Sequence, residues 1–187
     1  MSACSAPRYT RTAVILHWVL AVAIVGSFCM GLYMTSLPFS PQRLKLYNWH
    51  KWAGAIILAL SAVRLLWRLA HRPPAGPPMP PWQQRTAQVA HLLLYLLFFA
   101  VPLMGWAYSS AAGFPVVLFG VLPLPDFVGK DAALADLLKP WHGWLAWMLV
   151  AVVSLHVMGA LKHHFVDRDD LIRRMTWGRT DSSTGNP

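Results

Sequence analysis

The sequence predicts an all-α, integral membrane four-helix bundle, and three observations carry that expectation. Hydrophobic residues make up 56% of the 187 and charged residues only 12%, whereas an ordinary soluble domain is about one-quarter charged. Several apolar runs reach the roughly 20 residues that cross a bilayer as helix. Between them lie clusters of proline and glycine, which punctuate regular structure.

The first helix is expected over about residues 12–37, after a polar tail carrying Arg8 and Arg11. Pro38 and Pro41 end it, because proline cannot continue a helix ladder. This run is much longer than a signal-peptide core and lacks an evident cleavage site, so it reads as a membrane helix. The second helix is expected over 47–70, finishing in RLLWRLAHR. PPAGPPMPPW follows, with six prolines between Pro73 and Pro81, and reads as an extended spacer of polyproline type. The third helix is expected over 86–111, with Pro102 and Gly105 marking a kink. Residues 112–139 are moderately apolar but broken by Gly113, Pro115, Gly120, Pro123, Pro125 and Gly129, and they contain Asp126, Asp131 and Asp136. They read as a loop on the membrane surface that roofs a site. The fourth helix is expected over 141–164, followed by a polar cytoplasmic tail, 165–187, in one membrane domain spanning 1–187.

Four spans put both ends of the chain on one side. Of the sixteen basic residues, eleven fall on that side: Arg8, Arg11, Arg64, Arg68, Arg72, Arg85, Lys162, Arg168, Arg173, Arg174 and Arg179. Arg43, Lys45, Lys51, Lys130 and Lys139 fall on the other. By the positive-inside rule both termini are cytoplasmic. The net charge of +9 is thus a topology signal at helix ends rather than a nucleic-acid footprint. Trp49, Trp52, Trp141 and Trp144 are expected at the outer interface, with Trp67 and Trp82 at the inner one. Cys4 and Cys29 are poorly placed to pair, and no C-x-x-C-H attachment motif is present.

Topology gives each histidine a depth. His17 lies a turn or two above the cytoplasmic surface, and His156 returns to that level near the end of the fourth helix. His50 and His142 open the second and fourth helices near the outer surface. Along the fourth helix His142 and His156 are fourteen residues apart, about 21 Å of rise on nearly one face. Ionisable side chains inside spanning helices are costly and mark function. Two pairs of imidazoles on facing helices are what two six-coordinate b-type haems need, held without covalent attachment in the bundle core. The spans lack the carboxylates that a hard-metal or di-iron site requires.

Around these pairs stand further candidates. Arg64 and Arg68 point from the inner end of the second helix toward inner haem propionates, and Lys51 and Arg43 toward outer ones, with snorkelling to headgroups as the competing role. His91 sits at the inner level, where rivalry with His17 for iron, a quinone or propionate contact, and a plain interhelical hydrogen bond are all open. His163 and His164 read as interfacial, or as part of a proton relay or quinone site, and His71 as solvated. Gly54, Gly143 and Gly159 adjoin the histidines and would let a macrocycle approach the backbone, although glycine also lets membrane helices touch.

LHW around His17, NWHKWAG around His50, RLLWRL with Arg64 and Arg68, AHLLLYLLF around His91, PWHGW around His142, SLHVMGALKHHF around His156 and the closing DRDDLIRRM occur in this order. In this order and spacing the chain resembles the prokaryotic cytochrome b561 proteins, from about Arg8 to Met175. The resemblance implies His17 and His156 for one haem, His50 and His142 for the other, and an unligated His91. It also implies an electron carrier of the bacterial inner membrane linked to the quinone pool, some members oxidising superoxide at the outer face and reducing ubiquinone. The partners expected are membrane lipid, quinone and a periplasmic electron donor, with no nucleic acid. Two rival readings stay open: a cytochrome b membrane anchor taking electrons from a separate dehydrogenase or hydrogenase, and a transporter whose histidines relay protons, which predicts no haem.

Overall fold

A computed structural model describes residues 9–74, 79–169 and 171–175. Cys4, Arg8, the middle of the proline connector, Asp170 and the tail from residue 176 with Arg179 lie outside the described residues. Four long helices dominate: α1 (Arg11–Ser36), α2 (Pro41–Ala70), α3 (Pro81–Ala111) and α4 (Ala132–Lys162). Each is long and apolar enough to cross a membrane.

Three helices start earlier than the prolines suggest. α2 begins at Pro41 rather than near residue 47, α3 at Pro81 rather than 86, and α4 at Ala132 rather than 141. Proline at the first helical position lacks only an N–H that would be unbonded there, and its fixed φ already suits the helix. Pro41 therefore starts α2 instead of merely ending α1, with the Ser40 hydroxyl accepting from the Arg43 amide at 3.2 Å. Asp131 caps α4 in the same way, its carboxylate accepting from the Leu134 amide at 3.1 Å. Pro140 then lies inside α4, so the last part of the expected surface loop is helix.

The shortened loop still forms a roof. Val117–Leu118 (β1) and Leu122–Pro123 (β2) pair antiparallel, and the turn between them carries Phe119 and Gly120 at φ 52° and 75°. Side chains from the helices below fasten it. The Trp52 indole donates to the Val117 carbonyl at 2.6 Å, the Ser110 hydroxyl to the Asp126 carboxylate at 2.6 Å, and the Lys51 ammonium to the Phe114 and Pro115 carbonyls at 3.3 and 3.2 Å. The bundle thus has a roof end and a terminal end, where α1 begins and α4 finishes.

Backbones approach most closely between α3 and α4, α1 and α2, and α2 and α3. Leu94 and Leu97 of α3 pack on Leu149 and Val152 of α4, with Ile24 of α1 against that cluster. α1 and α4 meet through rings, among them Phe28 and Trp147 at 5.1 Å. Elsewhere the helices turn large apolar side chains outward, such as Val22, Leu66, Leu69, Leu96 and Leu155. In water so much exposed apolar surface would drive association; on a helix whose own backbone bonds are complete it is what faces lipid. The chain is a multi-pass membrane protein. Trp49, Trp141 and Trp144 are exposed near the roof end and Trp82 near the other, while Trp52 is drawn into the roof.

Candidate functional site

Histidines from three helices converge in two pairs. His50 of α2 and His142 of α4 face each other with ring centres 6.1 Å apart, near the roof. His17 of α1 and His156 of α4 do so at 6.3 Å, near the terminal end. His91 of α3 joins the second group, its ring centre 5.4 Å from that of His156. Helical spacing alone brings the two α4 histidines to one face, and the antiparallel order of the helices supplies each with its opposite number.

The roof-end rings are held by backbone. His50 Nδ1 lies 3.1 Å from the Ser27 carbonyl and 3.2 Å from the Ser27 hydroxyl, and His142 Nδ1 lies 3.1 Å from the Val101 carbonyl. Two glycines on facing helices make room for these rings. A Cβ at Gly31 would stand 3.3 Å from His50 Cε1, and one at Gly105 would stand 2.8 Å from His142 Cε1. Sequence reasoning missed Gly31 and the two carbonyls and read Gly105 only as part of a kink. A Cβ at Gly54, Gly143 or Gly159 would meet nothing within 4 Å.

Between the roof-end histidines lies a cavity of about 110 Å³, lined among others by Tyr47, Lys51, Gly54, Gly105, Trp106 and Tyr108. Trp106 Nε1 is buried there with no hydrogen-bond partner among the described residues, and a buried indole N–H usually has one. Lys51 lines the cavity, but its ammonium is on the roof carbonyls. The Arg43 guanidinium is engaged by the Leu37 carbonyl at 3.0 Å and the Tyr47 hydroxyl at 3.2 Å.

The terminal-end group is built differently. Arg64 Nη1 stands 2.9 Å from His17 Nδ1, and Arg64 Nε stands 3.5 Å from the Tyr95 hydroxyl. Arg68 lies over the Tyr95 ring, 5.6 Å from its centre. Ser61 Oγ, on α2 between the two histidine levels, is fully buried without a partner among the described residues. Beyond α4 a π-helical turn, His163–Asp167, sets His163 Nδ1 2.8 Å from Asp169 and 3.0 Å from Asp167, so His163 belongs to a local ion-pair cluster with Lys162. His71 is exposed and stacks on Trp67. The Trp18 indole donates to the Met175 carbonyl at 2.8 Å, tying the end of the described chain back to α1 beside His17.

The residues fit a flat metal-centred group at each level. Two metal–imidazole bonds of about 2 Å, plus about 1.1 Å from each nitrogen to its ring centre, place the centres roughly 6.2 Å apart. The observed 6.1 and 6.3 Å suit that sandwich. The bare space at Gly54 and the unpartnered Trp106 N–H suit a large group with polar edges at the roof end.

Similarity agrees with this geometry. The family model described as prokaryotic cytochrome b561 matches residues 8–178. "Cytochrome b561 homolog 2" of Escherichia coli K12 is 36% identical over 180 residues, covering 95% of each chain. "Probable superoxide oxidase CybB" of Yersinia pestis is 32% identical over 170 residues, covering 90% of this chain and 95% of its own. "Cytochrome b561 homolog 1" of E. coli K12 is 29% identical over 172 residues, covering 90% and 96%. A four-helix membrane bundle with paired inward histidines, matched along nearly its whole length, belongs to the prokaryotic cytochrome b561 family and is a membrane cytochrome that binds b-type haem and transfers electrons.

Proposed function

We propose that the chain is a di-haem electron carrier of the bacterial inner membrane, with both termini cytoplasmic, passing electrons from an outer-side donor to the quinone pool. One observation carries the reading: the same imidazole pair occurs twice, at 6.1 and 6.3 Å, about 21 Å apart along α4. His50 and His142 hold one haem b at the roof end, which faces outward. His17 and His156 hold the other at the cytoplasmic end, and His91 stays unligated.

Haem iron supplies reversible one-electron chemistry, and the residues decide where and in what setting. Apolar faces of the four helices keep water from the rings. The Ser27 and Val101 carbonyls orient the outer imidazoles, as partners beyond the ligands generally do. The roof, pinned by Lys51, Trp52 and Ser110, covers the outer pair. Arg64 and Arg68 supply positive charge for haem carboxylates at the inner level.

A relative at 32% identity carries the name probable superoxide oxidase, and we extend that donor to this chain. Two superoxide anions give up one electron each and leave as dioxygen, and one quinone takes two electrons and two protons to become quinol. The experiment is to supply enzymatically generated superoxide and a soluble ubiquinone to purified protein while following haem absorbance and quinol. Two b haems per chain, reduced by superoxide and reoxidised by quinone, are expected. Two haems that superoxide leaves oxidised would overturn the donor, and a chain that takes up no second haem would overturn the di-haem reading.

A further inference from the structure

His17 differs from the roof-end pair in which ring nitrogen it leaves bare. A backbone carbonyl only accepts hydrogen bonds, so His50 and His142, each with Nδ1 at 3.1 Å from a carbonyl, carry their hydrogen on Nδ1. The neutral ring then presents the lone pair of Nε2, ready to bind a metal. His17 is the reverse. Its Nδ1 faces a guanidinium nitrogen of Arg64 at 2.9 Å, and guanidinium only donates and keeps its charge. His17 Nδ1 is therefore the acceptor, and the neutral ring carries its hydrogen on Nε2. Either route to a metal disturbs that contact: ligation through Nδ1 takes the lone pair Arg64 uses, and ligation through Nε2 moves the hydrogen to Nδ1, where two donors would collide.

Among the described residues Arg64 also lacks an acidic partner of its own. α1, α2 and α3 contain no Asp or Glu, and Asp136, the one acidic residue of α4, is at the roof end. At the terminal end the described carboxylates, Asp167 and Asp169, are engaged with Lys162 and His163. A guanidinium inside a spanning helix is costly and calls for an anion, and none of the four helices offers one at its level. The neighbouring Tyr95 hydroxyl, 3.5 Å from Arg64 Nε, gives the side chain a pivot away from His17.

Resting on the di-haem reading, we propose that Arg64 is a two-position side chain: on His17 Nδ1 in the haem-free chain, and on a haem carboxylate once the inner site is filled. The outer site is preset and fills first, and the inner site fills only as Arg64 lets go of His17.

The test uses the full chain made under graded haem supply and purified at each level. Spectra of His156→Ala and His50→Ala proteins serve as references for outer-only and inner-only loading. Chains with a single haem are expected to carry it at the outer site in at least tenfold excess. Equal loading, or inner loading first, would overturn the order. A chain that stays at one haem with haem in excess would instead sink the di-haem reading, so the two failures are distinguishable. The second position is read by redox titration. In Arg64→Met or Arg64→Gln the midpoint potential of the inner haem falls, since a nearby cation disfavours the ferric form, while that of the outer haem stays. An unmoved inner potential in whichever variant retains both haems would overturn the carboxylate contact. The loading order needs no Arg64 variant, so it stands or falls even if neither of those two folds.

Discussion

At the scale of single residues, the roof-end site depends on what is absent as much as on what is present. A Cβ at Gly105 would come within 2.8 Å of the His142 ring, a rigid neighbour whose Nδ1 is held by the Val101 carbonyl one turn from Gly105 on the same helix, whereas one at Gly31 would sit 3.3 Å from His50. Gly105→Ala is therefore expected to weaken retention of one haem by tenfold or more, about 1.4 kcal/mol, and Gly31→Ala by less. Haem transfer to excess apomyoglobin checks both, and equal retention by the two variants would contradict the ranking. His91 supplies a second check. Its ring is nearer to His156 than His17 is, 5.4 against 6.3 Å, so proximity alone would elect it. His91→Ala is expected to keep two haems and His156→Ala one, by pyridine haemochrome; a haem lost with His91 would reassign the inner ligand. The four paired histidines were legible because depth follows from counting along a helix. Gly31 and the Ser27 carbonyl were not, since their role exists only through the ring that a different helix sets against them.

At the scale of elements, helix type was legible and helix starts were not. Apolar length announces a spanning helix, but proline marks either the end of one helix or the first turn of the next, and composition does not tell these apart. Ser40 before Pro41 and Asp131 before AALAD are the signals that decide it, because each side chain accepts from the amide three residues on. Asp131→Ala removes the cap that holds the start of α4 under the roof. A loss of about 1 kcal/mol in stability is expected, read by denaturant-induced loss of helix in detergent, with haem content unchanged because His142 lies well beyond the capped turn. A change in haem content would mean that the cap also positions His142.

For the whole molecule, the asymmetry of charge is what argues an orientation, and the two structurally distinct ends make it testable. The roof end carries the ordered hairpin, and its lysines are mixed with Asp126, Asp131 and Asp136. The terminal end carries Arg11, Arg64, Arg68, Arg72, Arg85, Lys162 and Arg168, and basic residues resist transfer across the membrane far more than acidic ones direct it. With four spans the two ends must lie on opposite sides, so one label on each decides the orientation of both haem sites. In a Cys4→Ser, Cys29→Ser background, Lys139→Cys is expected to react with a membrane-impermeant maleimide in spheroplasts, and Arg168→Cys only after permeabilisation. The reverse pattern would put the His17 and His156 pair outward. An external donor would then meet Arg64 and the terminal-end group first, and the roof-end site would become the quinone-facing one. Labelling thus decides which histidine pair receives the electron.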